Sequence, residues 1–261
     1  MGDIPQSHPR RSSLLARQKL VDAATDGLLA DSAMIAHGRG EAFDYLLGER
    51  TSNSAKNAIH EASARLLAAE HPVISVNGNT VVLAGEDLIR VAAVVGCPIE
   101  VNLYYRTHER VTGLLERLSE QRASVAAGPA PKGWSGEWDR AVEGVGLLGE
   151  DADGRIEGLE GPRALCCADG IGSADVVLVP LEDGDRCEAL IEMGKQVLVI
   201  DLNPLSRTSR MATVTIVDEV ARSAAALLEE VVSGPAQPDD WDNQAVLSEA
   251  LDIIADASAG E

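Results

Sequence analysis

The side chains with most to offer chemically are cations: Arg17, Lys19, His37, Arg39, Arg106, Arg186 and Arg207. Polar groups accompany them at Asn77, Asn79, Asp183, Asp185, Asp201, Asn203 and Thr208. Arginine forks match the geometry of phosphate oxygens. Carboxylates beside them can orient the guanidinium groups or hold Mg²⁺ through water. Nothing in this set reads as an activated serine or cysteine nucleophile. No GxGxxG follows a strand-like run, and GxxxxGK[ST], GxSxG, HxxxH and CxxC are all missing from the sequence. A conventional dinucleotide fold, a P-loop, a serine hydrolase and a zinc site are therefore not indicated, and no metal-ligating set stands out. What remains is phosphate handling by charge and positioning, without a covalent enzyme intermediate.

The elements that must position these groups centre on residues 174–212, ADVVLVPLEDGDRCEALIEMGKQVLVIDLNPLSRTSRMA. Two Val-rich runs, 176–179 and 197–200, flank a stretch with helical spacing at 185–195. That is a β-α-β unit, hence a parallel pair with a right-handed crossover. Ligands of such sheets sit outside the carboxyl ends of the strands. Here those ends carry Glu182-Asp183-Gly184-Asp185-Arg186 and Asp201-Leu202-Asn203. Further strands are predicted at 73–76, ending in Asn77-Gly78-Asn79, at 99–103, ending in Tyr104-Tyr105-Arg106-Thr107, and at 213–217. Helices are predicted over 9–30, 51–69 with Thr51 as cap, 87–95, from 106 or 107 to 118, and from about 220 to 232. His37-Gly38-Arg39-Gly40 reads as a glycine turn whose N–H groups could approach a ligand, with a helix starting at Glu41. Residues 122–172, rich in Gly, Pro, Asp and Glu, read as a long, mobile, acidic excursion anchored by Trp134 and Trp138. Residues 233–242 read as a linker and 243–257 as an acidic amphipathic helix. The sum is an α/β protein with a parallel sheet flanked by helices. Its organisation is one unit over 1–232, with 122–172 inserted, and an appended 233–261.

The 261 residues suffice for one large core. Aromatic content is 3%, so that core is aliphatic. No run reaches the roughly 20 apolar residues of a membrane span, and the start MGDIPQSHPRRSS lacks an apolar signal core. A cytoplasmic protein is expected. The four cysteines, Cys97, Cys166, Cys167 and Cys187, are expected to be reduced thiols. The formal charge of −20 disfavours nucleic acid and anionic membranes as partners. Only Lys19, Lys56, Lys132 and Lys195 are lysines, against 18 arginines. Excess acid with depleted lysine points to a halophilic surface, screened by a salty cytosol.

Five long stretches carry a resemblance: IPQSHPRRSSLLARQKLV, IAHGRGEAFDYLLGERT, HPVISVNGN, VNLYYRT and residues 174–222. They resemble the archaeal phosphopantothenate synthetase family, whose activity is 4-phosphopantoate–β-alanine ligase, over roughly residues 4–232 apart from the acidic excursion. The resemblance implies a homodimer of Rossmann-like fold acting in coenzyme A biosynthesis. ATP and 4-phosphopantoate would give an acyl-adenylate and diphosphate; β-alanine would then give 4′-phosphopantothenate and AMP. Carried over position by position, it implies ATP contacts at Arg17, Arg39, Asp201, Leu202, Asn203, Arg207, Thr208, Glu219 and Val220. At Glu219 the chain departs from the Asn that the family tends to have. The remaining polar groups are candidates for chemistry (Lys19, His37, Asp183, Asp185, Arg186) and for substrate binding (Asn77, Asn79, Arg106). Two alternatives stay open: another nucleotide-dependent transferase on the same fold, and a non-catalytic nucleotide sensor.

The charge balance gives a first testable outcome. The Debye length shrinks from roughly 10 Å at 0.1 M salt to 3 Å at 1 M, relieving self-repulsion. The melting temperature is expected to rise between those two salt levels, and a flat or falling value would contradict a halophilic surface.

Overall fold

The computed structural model describes residues 4–234 and 237–257, so Pro235 and Ala236 of the expected linker lie outside it. Six parallel strands form one sheet: β1 (Pro72–Val76), β2 (Ile99–Val101), β3 (Leu147–Leu148), β6 (Val176–Pro180), β7 (Gln196–Ile200) and β8 (Val214–Ile216). A small antiparallel ribbon, β4 (Gly154–Arg155) with β5 (Leu165–Cys166), stands apart. The order across the main sheet is β3-β2-β1-β6-β7-β8. Counted among main-sheet strands alone this is 3-2-1-4-5-6, the doubly wound order with its reversal between β1 and β6.

Alternate residues of the central strands enter two cores. Ile74, Val76, Leu178, Leu198 and Ile200 pack under α3 (Asn53–Ala68), α4 (Gly78–Val95) and α9 (Val220–Ser233). Val73, Val177, Val179, Val197 and Val199 pack on the other face, against α7 (Gly184–Glu192) and residues 156–174. Burial on both faces explains why these strands read as unbroken Val-rich runs. The β6-α7-β7 unit lies where the sequence indicated it, with Val177 beside Val197 and Val179 beside Val199.

Several expectations are corrected. The N-terminal helix is two: α1 (Arg11–Thr25) stops before Gly27, whose φ of 77° breaks the run, and α2 covers Asp31–Leu46. His37-Gly38-Arg39-Gly40 is therefore not a turn but the middle of α2. A helix-interior glycine costs roughly 1 kcal/mol relative to alanine, and two obscured the helix in the sequence. At Gly40 a Cβ would stand 3.5 Å from Leu202, an ordinary van der Waals contact, so packing does not require a glycine there. Ser52, not Thr51, caps α3; Thr51 instead donates to Asp218 Oδ2 at 2.6 Å. Asn77 caps α4, which starts nine residues before the 87–95 segment and ends at Gly96 in the left-handed region.

The acidic stretch 122–172 is not a loose excursion. Residues 122–127 finish α5 (His108–Ala127), α6 (Trp138–Glu143) follows, and β3 joins the sheet beside β2. Trp138 is buried, its ring edge-to-face with Trp134 at 5.5 Å. Buried Glu100 on β2 accepts N–H bonds from Cys167 at 3.0 Å and Ile171 at 2.8 Å. A carboxylate satisfying backbone donors fixes a segment that hydropathy marks as loop. Burial pushes the Glu100 carboxyl up; these N–H bonds oppose that shift.

α8 (Arg207–Met211) leads into β8. The C-terminal helix α10 (Asn243–Ala257) packs on the body of the chain, over α3, α8 and β8. Asn243 accepts from Thr215 N and donates to Ser209 O, each at 2.8 Å. All four cysteines are free and buried. Among the described residues no helix is long and apolar enough to cross a membrane.

Candidate active site

A cavity of about 850 Å³ opens over the reversal point, between the carboxyl ends of β1 and β6 and the helices α1 and α2. Asn77 spans that point: its side chain accepts from Thr80 N at 3.1 Å and donates to Leu181 O at 3.0 Å. Leu181 has φ of 61°, a conformation bulky side chains rarely adopt, and it lies at the cavity wall.

Beneath the reversal point Arg186 is almost wholly buried. Asp183 caps α7 and accepts from Arg186 N at 3.1 Å, which sets where the arginine leaves the helix. Its guanidinium donates to Asn102 Oδ1 at 2.6 Å and Ser75 Oγ at 3.0 Å, and Nε lies 3.1 Å from Glu182 Oε2. One side chain thus ties α7 to the ends of β1 and β2. Burial pushes the Glu182 carboxyl up, and Arg186 opposes that shift.

α1 and α2 are fastened by acids. Glu41 accepts from Arg17 Nε at 2.8 and 2.9 Å and from the Ser13 hydroxyl. Burial would raise the Glu41 carboxyl, but the bonds from Arg17 and Ser13 outweigh it and hold it below the usual range. Asp44 on α2 pairs with Arg222 on α9, which also holds Asp218. His37 lines the cavity; burial lowers its pKa below the usual imidazole value, with Glu41 and Glu219 opposing, and its Nε2 is buried without a partner.

The sequence-derived candidates divide. Lys19, His37, Arg39, Asn77 and Asn79 line the cavity. So do Asp183, Arg186, Leu202, Glu219 and Val220. Glu219 caps α9, one carboxylate oxygen accepting from Ala221 N at 2.9 Å and Arg222 N at 3.0 Å. The others are not cavity-lining. Arg17 is held behind Glu41. Asp201 accepts from the Ser206 hydroxyl and, at 2.9 Å, from Asn203 N; burial raises its carboxyl, and the Ser206 bond opposes this. Asn203 accepts from Leu205 N at 3.0 Å, and the Thr208 hydroxyl donates to Glu182 O at 3.0 Å. Arg207 pairs with Asp185 and Glu188 at the surface. Arg106 donates to Gly149 O, away from the cavity.

Sequence reasoning passed over several lining residues. Ser75 and Asn102 hide inside strands β1 and just after β2, and Glu41 and Asp44 inside α2. Arg110 lies one helical turn past Arg106, on the first turn of α5, so the rule that singled out polar residues after a strand stopped four positions short. Arg163, from the acidic stretch, is outside the lining but backs it, 5.3 Å over the Tyr104 ring and 3.6 Å from Asp183. Nothing in its sequence surroundings marks it.

A doubly wound parallel sheet with one deep, cation-bearing cavity over its reversal point defines an α/β enzyme of the Rossmann-like class. Comparison with known proteins makes this particular. Residues 54–257 match the family described as phosphopantothenate/pantothenate synthetase. A protein of Thermococcus kodakarensis named 4-phosphopantoate–β-alanine ligase is 47% identical over 229 residues, covering 88% of this chain and 80% of the relative. One of the same name from Methanosarcina mazei is 44% identical over 262 residues, covering 97% and 95%. The chain belongs to this synthetase family.

The Arg186 cluster yields a stability test. Arg186→Met leaves Glu182 buried without its cation, at a cost of about 3–5 kcal/mol. The double change Arg186→Met with Glu182→Leu is expected to recover most of that loss in chemical denaturation at high salt. A double variant as unstable as the single one would contradict the pairing.

Proposed function

We propose that this chain is a 4-phosphopantoate–β-alanine ligase, working in the cytoplasm as a step of coenzyme A biosynthesis. ATP activates the acid, and the catalytic unit is residues 1–232, with 122–172 inside it and 233–261 appended. Family membership and the relatives' names support the activity. The observation that carries it is the single cavity reaching across both halves of the sheet, from Tyr104 beyond β2 to Leu202 and Glu219 beyond β7 and β8. A ligase must hold a nucleotide and an acid side by side, and this cavity has a half for each.

In this reading the nucleotide lies over β7 and β8. Asp201, Leu202 and Asn203 leave one strand, and Glu219 and Val220 leave its neighbour. Arg39 approaches from α2 toward the phosphates, while Arg17, outside the cavity lining, fastens α1 to α2 through Glu41. Thr208 and Arg207 support the β7 loop, Thr208 by its bond to Glu182 O and Arg207 by pairing with Asp185. Among the described residues no three acidic, histidine or cysteine side chains converge as a metal cage. That fits a Mg²⁺ that arrives on the triphosphate and keeps most of its waters; Asp183, at the cavity wall, is the carboxylate best suited to a water-mediated contact.

The acid occupies the β1–β2 half, beside Asn77 and Asn79. Its carboxylate attacks the α-phosphorus, diphosphate leaves, and an acyl-adenylate forms. The arginines neutralise the leaving group, and Arg186 holds the strand ends still. β-Alanine then attacks the acyl carbon, and AMP leaves with the electrons of the broken bond. The attacking amine must shed a proton. His37, with Nε2 unpartnered at the cavity wall, accepts it, while Lys19 faces the β-alanine carboxylate.

The expected products from ATP, Mg²⁺, 4-phosphopantoate and β-alanine are amide, AMP and diphosphate in equal amounts, read by mass spectrometry. Amide with ADP and phosphate would remove the adenylate route and keep the ligase; no amide would remove both. We further propose a homodimer, motivated by the family resemblance and by Ile35, Tyr45 and Leu46 exposed together on α2. Light scattering at working salt is expected to give twice the mass of one chain.

A further inference from the structure

Arg163 stands outside the cavity lining, yet its guanidinium reaches two elements that form it. Its Cζ lies 5.3 Å over the ring of Tyr104, which follows β2. Its Nη1 is 3.6 Å from Asp183 Oδ1, and its Nη2 donates to Asp185 Oδ2 at 3.2 Å, both at the start of α7. The backbone beneath it is fixed. Arg163 belongs to the turn Pro162–Ala164, and buried Ala164 accepts from Ile156 N at 2.7 Å. Tyr104 is less secure: it is 52% exposed, its ring edge-to-face with that of Tyr105, which is exposed as well. A guanidinium over its face is attracted by the ring quadrupole and limits where the ring can go.

Asp185 carries the contact further. One of its carboxylate oxygens serves Arg163, and the other serves Arg207 at the start of α8, beyond β7. Arg207 also pairs with Glu188, one turn along α7. Gly184 shows that this seat is built. A Cβ there would stand 2.8 Å from Arg207 Cβ and 2.9 Å from its Cγ and Cδ, so the arginine stem lies where a side chain would be. The stem can cross the start of α7 only because residue 184 is glycine. Thr208 adds its bond to Glu182 O at 3.0 Å. Tyr104, Arg163, Asp185 and Arg207 thus form one strap along the ends of β2, β6 and β7. It runs outside the cavity, from the half beyond β2 to the half beyond β7. Packed side chains and ion pairs that follow one another without a gap can carry coupling between sites.

We propose that Arg163 is a positioning residue for both halves of the cavity, tying the Tyr104 rim to the loop after β7 through Asp185 and Arg207. Loosening either end of the strap loosens the other. Arg163 contacts no substrate, since it lies outside the lining; it acts through Tyr104 and Asp185. The acidic stretch is in this way part of the working site, although it supplies no side chain to the cavity. The kinetic form of the test rests on the ligase reading above, and the exchange form does not.

The test is steady-state kinetics at high salt of wild type, Arg163→Gln, Arg163→Lys, Gly184→Ala and the double variant Arg163→Gln with Gly184→Ala. In Arg163→Gln, KM for ATP and KM for 4-phosphopantoate are both expected to rise about two- to fivefold, the size of one exposed ion pair or cation–π contact. Arg163→Lys is expected to fall between, because an ammonium cannot bridge a ring and two carboxylates as the planar fork does. Gly184→Ala pushes the Arg207 stem away. It is expected to raise KM for 4-phosphopantoate in the wild-type background but not in Arg163→Gln, where the link is already cut. An Arg163→Gln variant that changes neither KM, or only one, would overturn the strap, and so would an equal effect of Gly184→Ala in both backgrounds. A wild type that forms no amide would overturn the ligase reading alone. The strap is then judged by hydrogen exchange in wild type and Arg163→Gln. Residues 104–107 and 202–206 are both expected to exchange about two- to fivefold faster in the variant, and an unchanged rate at 202–206 overturns it.

Discussion

A guanidinium buried where three parallel strands end is the constraint on which the rest of this structure turns. Arg186 enters from the start of α7 and meets Ser75, Asn102 and Glu182. A parallel sheet covered on both faces has few places for polar groups except its strand ends. Putting a full charge there is costly, and the Glu182 carboxylate beside it and the hydrogen bonds to Asn102 and Ser75 offset that cost. The ends of β1 and β2 and the start of α7 are consequently held in one arrangement, and the cavity inherits its floor from them.

Opposite that floor, the roof depends on charge in another way. α1 and α2 bring few large apolar residues to the core, and their attachment runs through Glu41 with Arg17 and through Asp44 with Arg222. In a chain of net charge −20 each cation is scarce, and two of the four arginines lining the cavity, Arg186 and Arg222, serve an acid of the protein itself.

The sequence made the middle of the fold plain and its margins obscure. The β6-α7-β7 unit was legible because Val-rich strands and a short amphipathic helix give strong, opposite periodicities, and Asp183, Arg186 and Leu202 came with it. α2 was misread because Gly38 and Gly40 imitate a turn. The acidic stretch was misread because β3 pairs with β2 and buried Glu100 takes the N–H groups of Cys167 and Ile171. Such a bond has no signature in composition. Arg106 and Arg110 show the same limit at the site: both follow β2, and only the direction of the helix decides which reaches the cavity.

The bond from Thr215 N to Asn243 concerns more than the docking of α10. β8 is an outer strand of the sheet, and its free N–H groups would be the natural place for another chain to add a strand. Asn243 occupies that donor, and α10 covers the surface around it. At the opposite margin β3 has only two residues, Leu147 and Leu148, too short to template a partner. The sheet is thus sealed at both margins against continuation from one molecule into the next. A second copy that added itself by strand pairing would find neither margin open, which leaves the helical surfaces as the places for two copies to meet.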